Sequence, residues 1–241
     1  DNAMDEAVAG HADRIEVALS AEGILSVVDN GRGIPTDPHP KYKPKSALEV
    51  ILTTLHSGGK FSDKVYQNAG GLHGVGISVV NALSDSLVVE VARDRQLWRQ
   101  EYSRGEAKTK LQDMGKVANR RGTTIACHPD PEIFGASAHF LPSRLYRMAR
   151  SKAYLFRGVR IHWRCAESLI TGKDQTPSEE VLHFPNGLAD FLAASLGDGP
   201  TVTPQPFSGR ADLTEAKGEV EWAMHWPVES DGFLHSYCNT V

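Results

Sequence analysis

Two glycine-rich segments constrain the fold of this chain more than any other feature. The first is Asp29-Asn-Gly-Arg-Gly33, which follows the apolar run at 24–28. Its glycines allow the backbone to turn sharply after the carboxylate that ends this predicted strand. The second is Gly71-Leu-His-Gly-Val-Gly76, which lies directly before a helix predicted at 77–83. Because free N–H groups at the start of a helix bind anions, the two segments together favour a phosphate-binding site.

Two common phosphate-binding motifs do not account for these glycines. The sequence contains no G-x-x-x-x-G-K-[ST] string, which excludes a P-loop. The second segment has the order G-x-x-G-x-G, the reverse of the dinucleotide fingerprint, and it follows a loop instead of a strand. Each segment alone is also compatible with an ordinary turn, so their order along the chain is more informative than either one.

Hydrophobic spacing predicts a mixture of helices and strands. Helices are predicted at 2–10, 46–55, 77–83 and 143–156, with a further short helix after the turn Pro185-Asn-Gly187. Strands are predicted at 15–19, 24–28, 87–91, 97–102, 123–128, 159–163, 219–226 and 234–241. The segments 30–45 and 105–121 are predicted to be irregular, as is the Gly/Pro-rich stretch that runs to Gly209. The turn near 185 is the predicted domain boundary.

Composition and charge exclude several classes of protein. Hydrophobic residues make up 40% and charged residues 23%, which is typical of a folded soluble protein. No apolar run approaches the length of a membrane span and no signal peptide opens the chain, so we expect no membrane contact and a cytoplasmic location. The net charge of −4 argues against a basic DNA clamp, and a solvated helix face is the favoured interpretation of Arg144, Arg147 and Arg150. Three widely spaced cysteines predict reduced thiols, without a disulfide framework or a zinc site.

Four strings occur in an order that resembles the GHKL, or Bergerat-fold, ATPases. They are Asn-x-x-Asp-Glu-Ala at 2–7, D-x-G-x-G at 29–33, G-x-x-G-x-G at 71–76 and Gly122-Thr123. This superfamily includes type II topoisomerase ATPase subunits, MutL, chaperones and histidine kinases. The resemblance implies an α/β (α+β) fold: a two-layer sandwich over 1–185, with a mixed sheet covered by helices on one face. Part of a ribosomal-S5-like transducer domain would follow over 186–241.

Longer strings are similar to the bacterial gyrase B and topoisomerase IV B family. They include Gly31-Arg-Gly-Ile-Pro, Leu55-His-Ser-Gly-Gly-Lys-Phe and the run from Gly70 to Ser84. Tyr66-Gln67, Pro206-Phe207 and the region 222–226 resemble topoisomerase IV B more than gyrase B. A MutL-like or chaperone-like protein would keep the two glycine segments but would lack the Gly-Gly-Lys-Phe text.

The resemblance implies an ATP site with Mg²⁺. Asp29 would accept a hydrogen bond from the adenine amino group, and Thr123 would support the same edge, partly through water. Asn2 would supply an oxygen to Mg²⁺, with Glu6 behind it. Backbone groups of the second glycine segment would face the phosphates, and the rim of the pocket would bind aminocoumarin inhibitors. The implied ATP-binding residues are Asn2, Glu6, Asp29, Arg32, Gly33, Ile34, Pro35, Lys60, Tyr66, Gly71, Leu72, His73, Gly74, Val75, Gly76, Arg99 and Thr123.

The resemblance also implies that the chain is part of a longer protein that acts in a multi-subunit enzyme. In the family, the general-base Glu lies four residues before the motif Asn, upstream of residue 1, and a Lys that reaches the γ-phosphate would lie beyond Val241. We therefore expect a piece of a longer protein, with no catalytic residue of its own, that binds ATP better than it hydrolyses it. Two such subunits would dimerise on ATP binding, act with a DNA-cleaving subunit, and power DNA strand passage, decatenation and relaxation. Gyrase B, with negative supercoiling, and a nucleotide-responsive dimerisation module are the alternatives.

Overall fold

The computed structural model describes residues 1–55, 75–172, 176–213, 218–229 and 232–238. Its helices are α1 (Asn2–Val8), α2 (Ala47–Thr53), α3 (Gly76–Ala82), α4 (Pro131–Phe134), α5 (Pro142–Leu155) and α6 (Leu188–Leu196). Its strands are β1 (Arg14–Leu19), β2 (Leu25–Asp29), β3 (Ser84–Arg93), β4 (Gln96–Ser103), β5 (Glu106–Ala107), β6 (Gln112–Lys116), β7 (Gly122–Pro129), β8 (Arg160–Cys165), β9 (Glu179–His183), β10 (Phe207–Leu213) and β11 (Gly218–Met224). No helix in these ranges is long and apolar enough to cross a bilayer.

Nine strands form one mixed sheet in the order β5-β4-β3-β7-β2-β1-β8-β9, and β6 also pairs with β4. β1 and β2 form the predicted antiparallel hairpin, in which Ile15 lies opposite Asp29. β1 and β8 are parallel, which makes the sheet mixed. β2 and β7 are antiparallel with Val28 opposite Thr124, so the end of β2 lies beside the beginning of β7. This pairing brings Asp29 and Thr123 together although they are 94 positions apart.

One face of the sheet is apolar and the other is polar. Because successive side chains of a strand point to opposite faces, Ile15 and Leu19 share the face that is covered by helices. Both are only 2% exposed. Arg14 and Glu16 alternate with them and point to the uncovered face. Since α1, α2 and α5 all pack on the apolar face, the structure confirms the predicted two-layer sandwich.

Two hydrophobic clusters fill the space between the layers. The first surrounds Trp163, which is fully buried and donates a hydrogen bond from Nε1 to the carbonyl of Pro177 at 2.7 Å. The second joins Leu48 and Leu52 of α2 to the buried side of β3. Ile34 belongs to this second cluster. The packing of α2 therefore supports the turn that follows Asp29.

The segment predicted to be irregular at 105–121 contains the short strands β5 and β6. Every residue of β6 is exposed, so its sequence carries no hydrophobic alternation that would predict a strand. The strand forms because β4 offers it a pairing edge, with Arg99 opposite Gln112. β9 was also missed, because Leu182 is its only buried residue.

The strand predicted at 234–241 is wrong for 234–238, the part of it that the structure describes. Tyr237 instead packs edge-on against Tyr154, with ring centroids 5.8 Å apart and the two hydroxyls 2.5 Å apart. The strand predicted at 219–226 is confirmed as β11. Its partner β10 begins at Phe207, inside the stretch predicted to be irregular.

Replacing Leu52 tests the second cluster. Leu52→Ala is expected to lower the free energy of unfolding by about 2 to 5 kcal/mol, because it leaves a cavity where a fully buried side chain packed. Leu55→Ala is the matched control: Leu55 is 60% exposed, and we expect a change below about 0.5 kcal/mol. Urea unfolding followed by circular dichroism measures both. Equal losses would contradict the buried face assigned to α2.

Candidate functional site

Asp29 is a buried carboxylate at the end of β2. Its side chain lies on the helix-covered face of the sheet, and the residue is only 4% exposed. The backbone N–H groups of Gly31 and Thr123 donate to Oδ1, at N···O distances of 2.8 and 3.3 Å. Within the ranges that the structure describes, Oδ2 receives no hydrogen bond. Asp29 therefore has one oxygen fixed by the protein and one available to a ligand.

Burial raises the pKa of Asp29 to about 6. Loss of solvation disfavours the charged form, and the negative charge of Glu6 acts in the same direction. The hydrogen bonds from Gly31 and Thr123 oppose this effect without cancelling it. At neutral pH the carboxylate is mostly ionised, so it is a strong hydrogen-bond acceptor in a poorly solvated place.

Glu6 of α1 is held by Arg32, in the first glycine segment. The Arg32 backbone N–H donates to Oε2 at 2.9 Å, Nε donates to the same oxygen at 3.2 Å, and Nη2 donates to Oε1 at 2.8 Å. Burial alone would raise the pKa of Glu6, but the hydrogen bonds and charge of Arg32 outweigh it and lower that pKa. Both carboxylate oxygens of Glu6 thus accept hydrogen bonds from the Arg32 guanidinium group.

Gly31 lies between the two carboxylates and leaves no room for a side chain. A Cβ on Gly31 would come within 2.7 Å of Glu6 Oε2 and 2.8 Å of Asp29 Oδ1. Gly122 is equally restricted, because its φ is +103° and a Cβ there would lie 2.0 Å from the Asp29 carbonyl oxygen. These two glycines allow α1, β2 and β7 to meet at one place.

Thr123 connects the carboxylate to the segment that follows it. Thr123 is 3% exposed, and its Oγ1 accepts a hydrogen bond from the Ile34 backbone N–H at 3.2 Å. This bond places Gly33, Ile34 and the exposed Pro35 next to the Asp29 side of the sheet. The structure therefore brings together Glu6, Asp29, Thr123 and the segment 31–35.

The remaining predicted residues fall into two groups. Asn2 is half-buried on α1, one helical turn before Glu6, and therefore on the same side of the helix. Val75 and Gly76 form the beginning of α3. Six predicted residues lie outside the described ranges: Lys60, Tyr66, Gly71, Leu72, His73 and Gly74.

Arg99 does not lie at this site, which corrects the sequence prediction. It is opposite Glu90 in the β3–β4 pair and forms ion pairs with Glu90 at 3.3 Å and Glu101 at 3.0 Å. Glu90 is in turn opposite Thr124, which points away from the Thr123 side of the sheet. Arg99 therefore projects from the polar face.

Arg93 is the arginine that the sequence analysis missed. Its Nη1 donates to the Gly33 carbonyl at 2.8 Å, at the end of β3. Strand alternation could have identified it, because Val89, Val91 and Arg93 share one face of β3 and the two valines are fully buried. The same rule turns Arg99 outward, since its neighbour Gln100 is fully buried.

Curated relatives align with this chain over its full length. Proteins named as B subunits of DNA topoisomerase 4 are 56% identical over 245 residues in Caulobacter vibrioides, 53% over 241 in Bartonella bacilliformis and 44% over 245 in Escherichia coli. Each comparison covers 100% of this chain and 35 to 37% of the relative. The chain therefore spans about a third of the length of these curated relatives.

A solved structure and a family model agree with these relatives. The crystal structure of the 43K ATPase domain of Thermus thermophilus gyrase B, in complex with an aminocoumarin, matches with a TM-score of 0.72 and 38% identity. The match covers 89% of this chain and 52% of that one. The model described as "Histidine kinase-, DNA gyrase B-, and HSP90-like ATPase" matches residues 1–133, more than half of the chain. The resemblance inferred from the glycine segments is thereby confirmed, and the chain belongs to the histidine kinase-, DNA gyrase B- and HSP90-like ATPase family.

Proposed function

We propose that this chain is the ATP-binding part of a type II topoisomerase ATPase subunit, of the topoisomerase IV B kind. One observation carries the proposal: the buried Asp29 carboxylate keeps Oδ2 available beside Thr123. Gly31 and Gly122 let α1, β2 and β7 come close together at this place. The names and identities of the relatives support the same function.

The chemistry of Asp29 suits an adenine ring. An ionised carboxylate only accepts hydrogen bonds, and adenine presents an exocyclic amino group that donates. Guanine has a carbonyl oxygen at the corresponding position, which would face Oδ2 with no proton between them. Because the carboxylate is buried, such an unpaired contact would be costly. The site therefore favours adenine over guanine.

The phosphates would lie toward α1 and the start of α3. Val75 is the N-cap of α3 and Gly76 is its first residue, and the first backbone N–H groups of a helix have no partner within it. Mg²⁺, which neutralises phosphate charge when bound, would be held by the Asn2 side-chain oxygen together with phosphates and water. Glu6 would remain a support behind Asn2, because Arg32 occupies both of its oxygens. For the same reason Glu6 is poorly suited to act as a general base.

We propose the remaining assignments from the family. Residues 186–241, with α6 and the separate sheet of β10 and β11, would begin a transducer domain. The whole protein would dimerise on binding ATP, act in the cytoplasm with a DNA-cleaving subunit, and couple hydrolysis to decatenation and relaxation of DNA. Gyrase B is the second candidate, because a gyrase B domain matches over 89% of the chain. Decatenation without supercoiling by the whole protein and its partner would favour topoisomerase IV.

Asp29→Asn tests the adenine contact. The variant keeps an oxygen for Gly31 and Thr123 but presents an amide N–H₂ to the ligand, so two donors would face each other. We expect the affinity for a non-hydrolysable ATP analogue to fall about 10- to 100-fold in calorimetry. Asp198→Asn, on an exposed residue, is the matched control and should change the affinity less than about 2-fold. Unchanged binding by Asp29→Asn, or equal affinity of the parent for GTP and ATP analogues, would refute the proposed site.

The raised pKa of Asp29 predicts opposite effects of pH on binding and on folding. Binding requires the ionised form, so affinity for the ATP analogue should fall as the pH drops through about 6. Folding responds differently: the folded pKa of about 6 lies above the ordinary value of 3.8, so stability from this group declines as pH rises between them. Asp29→Asn removes that decline. Its free energy of unfolding, relative to the parent, should increase by at most about 3 kcal/mol from pH 4 to pH 7.

Arg93 and Arg99 provide a paired test of the site's boundary. Arg93→Ala removes the hydrogen bond to the Gly33 carbonyl and should weaken binding of the ATP analogue about 3- to 10-fold. Arg99→Ala breaks ion pairs on the polar face and should change binding less than about 2-fold. A larger effect at Arg99 than at Arg93 would contradict the assignment of Arg93 to the rim of the site and of Arg99 to the polar face.

A further inference from the structure

A second cavity lies behind the Asp29 carboxylate, on the polar face of the sheet. It encloses about 640 Å³, which is within the usual range for a small-molecule site. Its floor is formed by Arg14, Glu16, Val28 and Thr124 of β1, β2 and β7, and its wall is the segment 118–121 before β7. The strand pleat turns the Asp29 carboxyl to the opposite face, so Asp29 contributes backbone to this cavity.

Three arginines converge on this cavity. Arg14 forms an ion pair with Glu16 at 2.5 Å, and Arg120 forms one with Glu90 at 2.6 Å. Arg121 donates a hydrogen bond to the His11 carbonyl at 3.1 Å and forms no ion pair with any described residue. The chain as a whole carries a charge of −4, so this concentration of guanidinium groups is local.

A fourth arginine adds to the positive charge. Arg160 of β8 is the direct register partner of Arg14, on the same face of the sheet. It is exposed and has no carboxylate partner in the described part of the chain. Like charges directly opposite each other on a sheet are unfavourable, and a bound anion would relieve this repulsion. The half-exposed ion pairs of Arg14 and Arg120 contribute little stability and can yield to a stronger acceptor.

We infer that this cavity binds a phosphate-bearing anion. Guanidinium groups match phosphate oxygens with two parallel hydrogen bonds, and Arg121 is oriented by the His11 carbonyl while its charge stays uncompensated. Asn119 lines the same cavity and supplies a polar side chain beside the arginines. The phosphate could belong to a free polyphosphate or to a nucleic-acid backbone, which present the same chemistry. This site is separate from the proposed adenine contact, because the sheet lies between them.

Nuclear magnetic resonance of the 241-residue chain tests the inference. Pyrophosphate is titrated into the chain alone, and a non-hydrolysable ATP analogue is titrated separately to report on the nucleotide site. We expect saturable shifts at the amides of 119–122 and Arg14. Arg121→Gln and Arg120→Gln should each weaken the pyrophosphate affinity about 10-fold or more. Arg144→Gln, an exposed arginine on α5, is the control and should change it less than about 2-fold.

The outcomes separate the two proposals and the two sources of phosphate. Saturable pyrophosphate shifts without competition by a short DNA duplex would indicate a free anion, and displacement by the duplex would indicate a nucleic-acid backbone. No shift at 119–122 in a folded protein, or shifts unaffected by both arginine variants, would overturn the inference. The ATP-analogue titration reports on the nucleotide site independently, because it should shift the amides of Gly31 and Ile34, neither of which lines the second cavity.

Discussion

The burial of one carboxylate organises the site and much of the fold around it. Asp29 stands on the apolar face of the sheet, where an unpaired charge would be strongly unfavourable. Hydrogen bonds from two backbone N–H groups in different segments, those of Gly31 and Thr123, reduce the cost of burying this carboxylate. The Gly31 bond is local to the turn after β2, whereas the Thr123 bond depends on the antiparallel pairing of β2 with β7, which sets Val28 opposite Thr124. The longest-range contact of the site is thus fixed by the register of the central strands.

The one-sided covering of the sheet gives its two faces different chemistry. Helices α1, α2 and α5 bury the apolar face, so groups on that face such as Asp29 and Thr123 are removed from water. The other face keeps its charges in solvent, where ion pairs such as Arg99 with Glu90 are weak and exchangeable. A difference of one residue along a strand therefore moves a side chain between a specific site and a solvated surface.

Features that depend on local sequence pattern could be predicted, and features that depend on strand alternation or on pairing with a distant strand were missed. The turn of the first glycine segment, the β1–β2 hairpin and the position of Asp29 at the end of β2 were predictable, because each depends on local pattern and backbone chemistry. Arg99 was misplaced because its assignment came from resemblance and ignored strand alternation, which turns it outward and turns Arg93 toward Gly33. β6 could not be predicted from its exposed residues, since only the edge of β4 specifies it.

The two carboxylates of the site acquire different roles from one arginine. Glu6 and Asp29 are close enough that the charge of Glu6 raises the pKa of Asp29, and Gly31 separates them with no space for a side chain. Arg32 binds both oxygens of Glu6 and lowers its pKa, while Asp29 receives, from the described residues, only neutral backbone donors. Environments that move two acids in opposite directions give them different tasks. The lowered pKa of Glu6 favours its charged form, which anchors the first glycine segment to α1, whereas Asp29, with its pKa raised to about 6, keeps an acceptor oxygen that mild acid protonates. The placement of Arg32 directly after Gly31 therefore determines which of the two carboxylates is available for the proposed ligand contact.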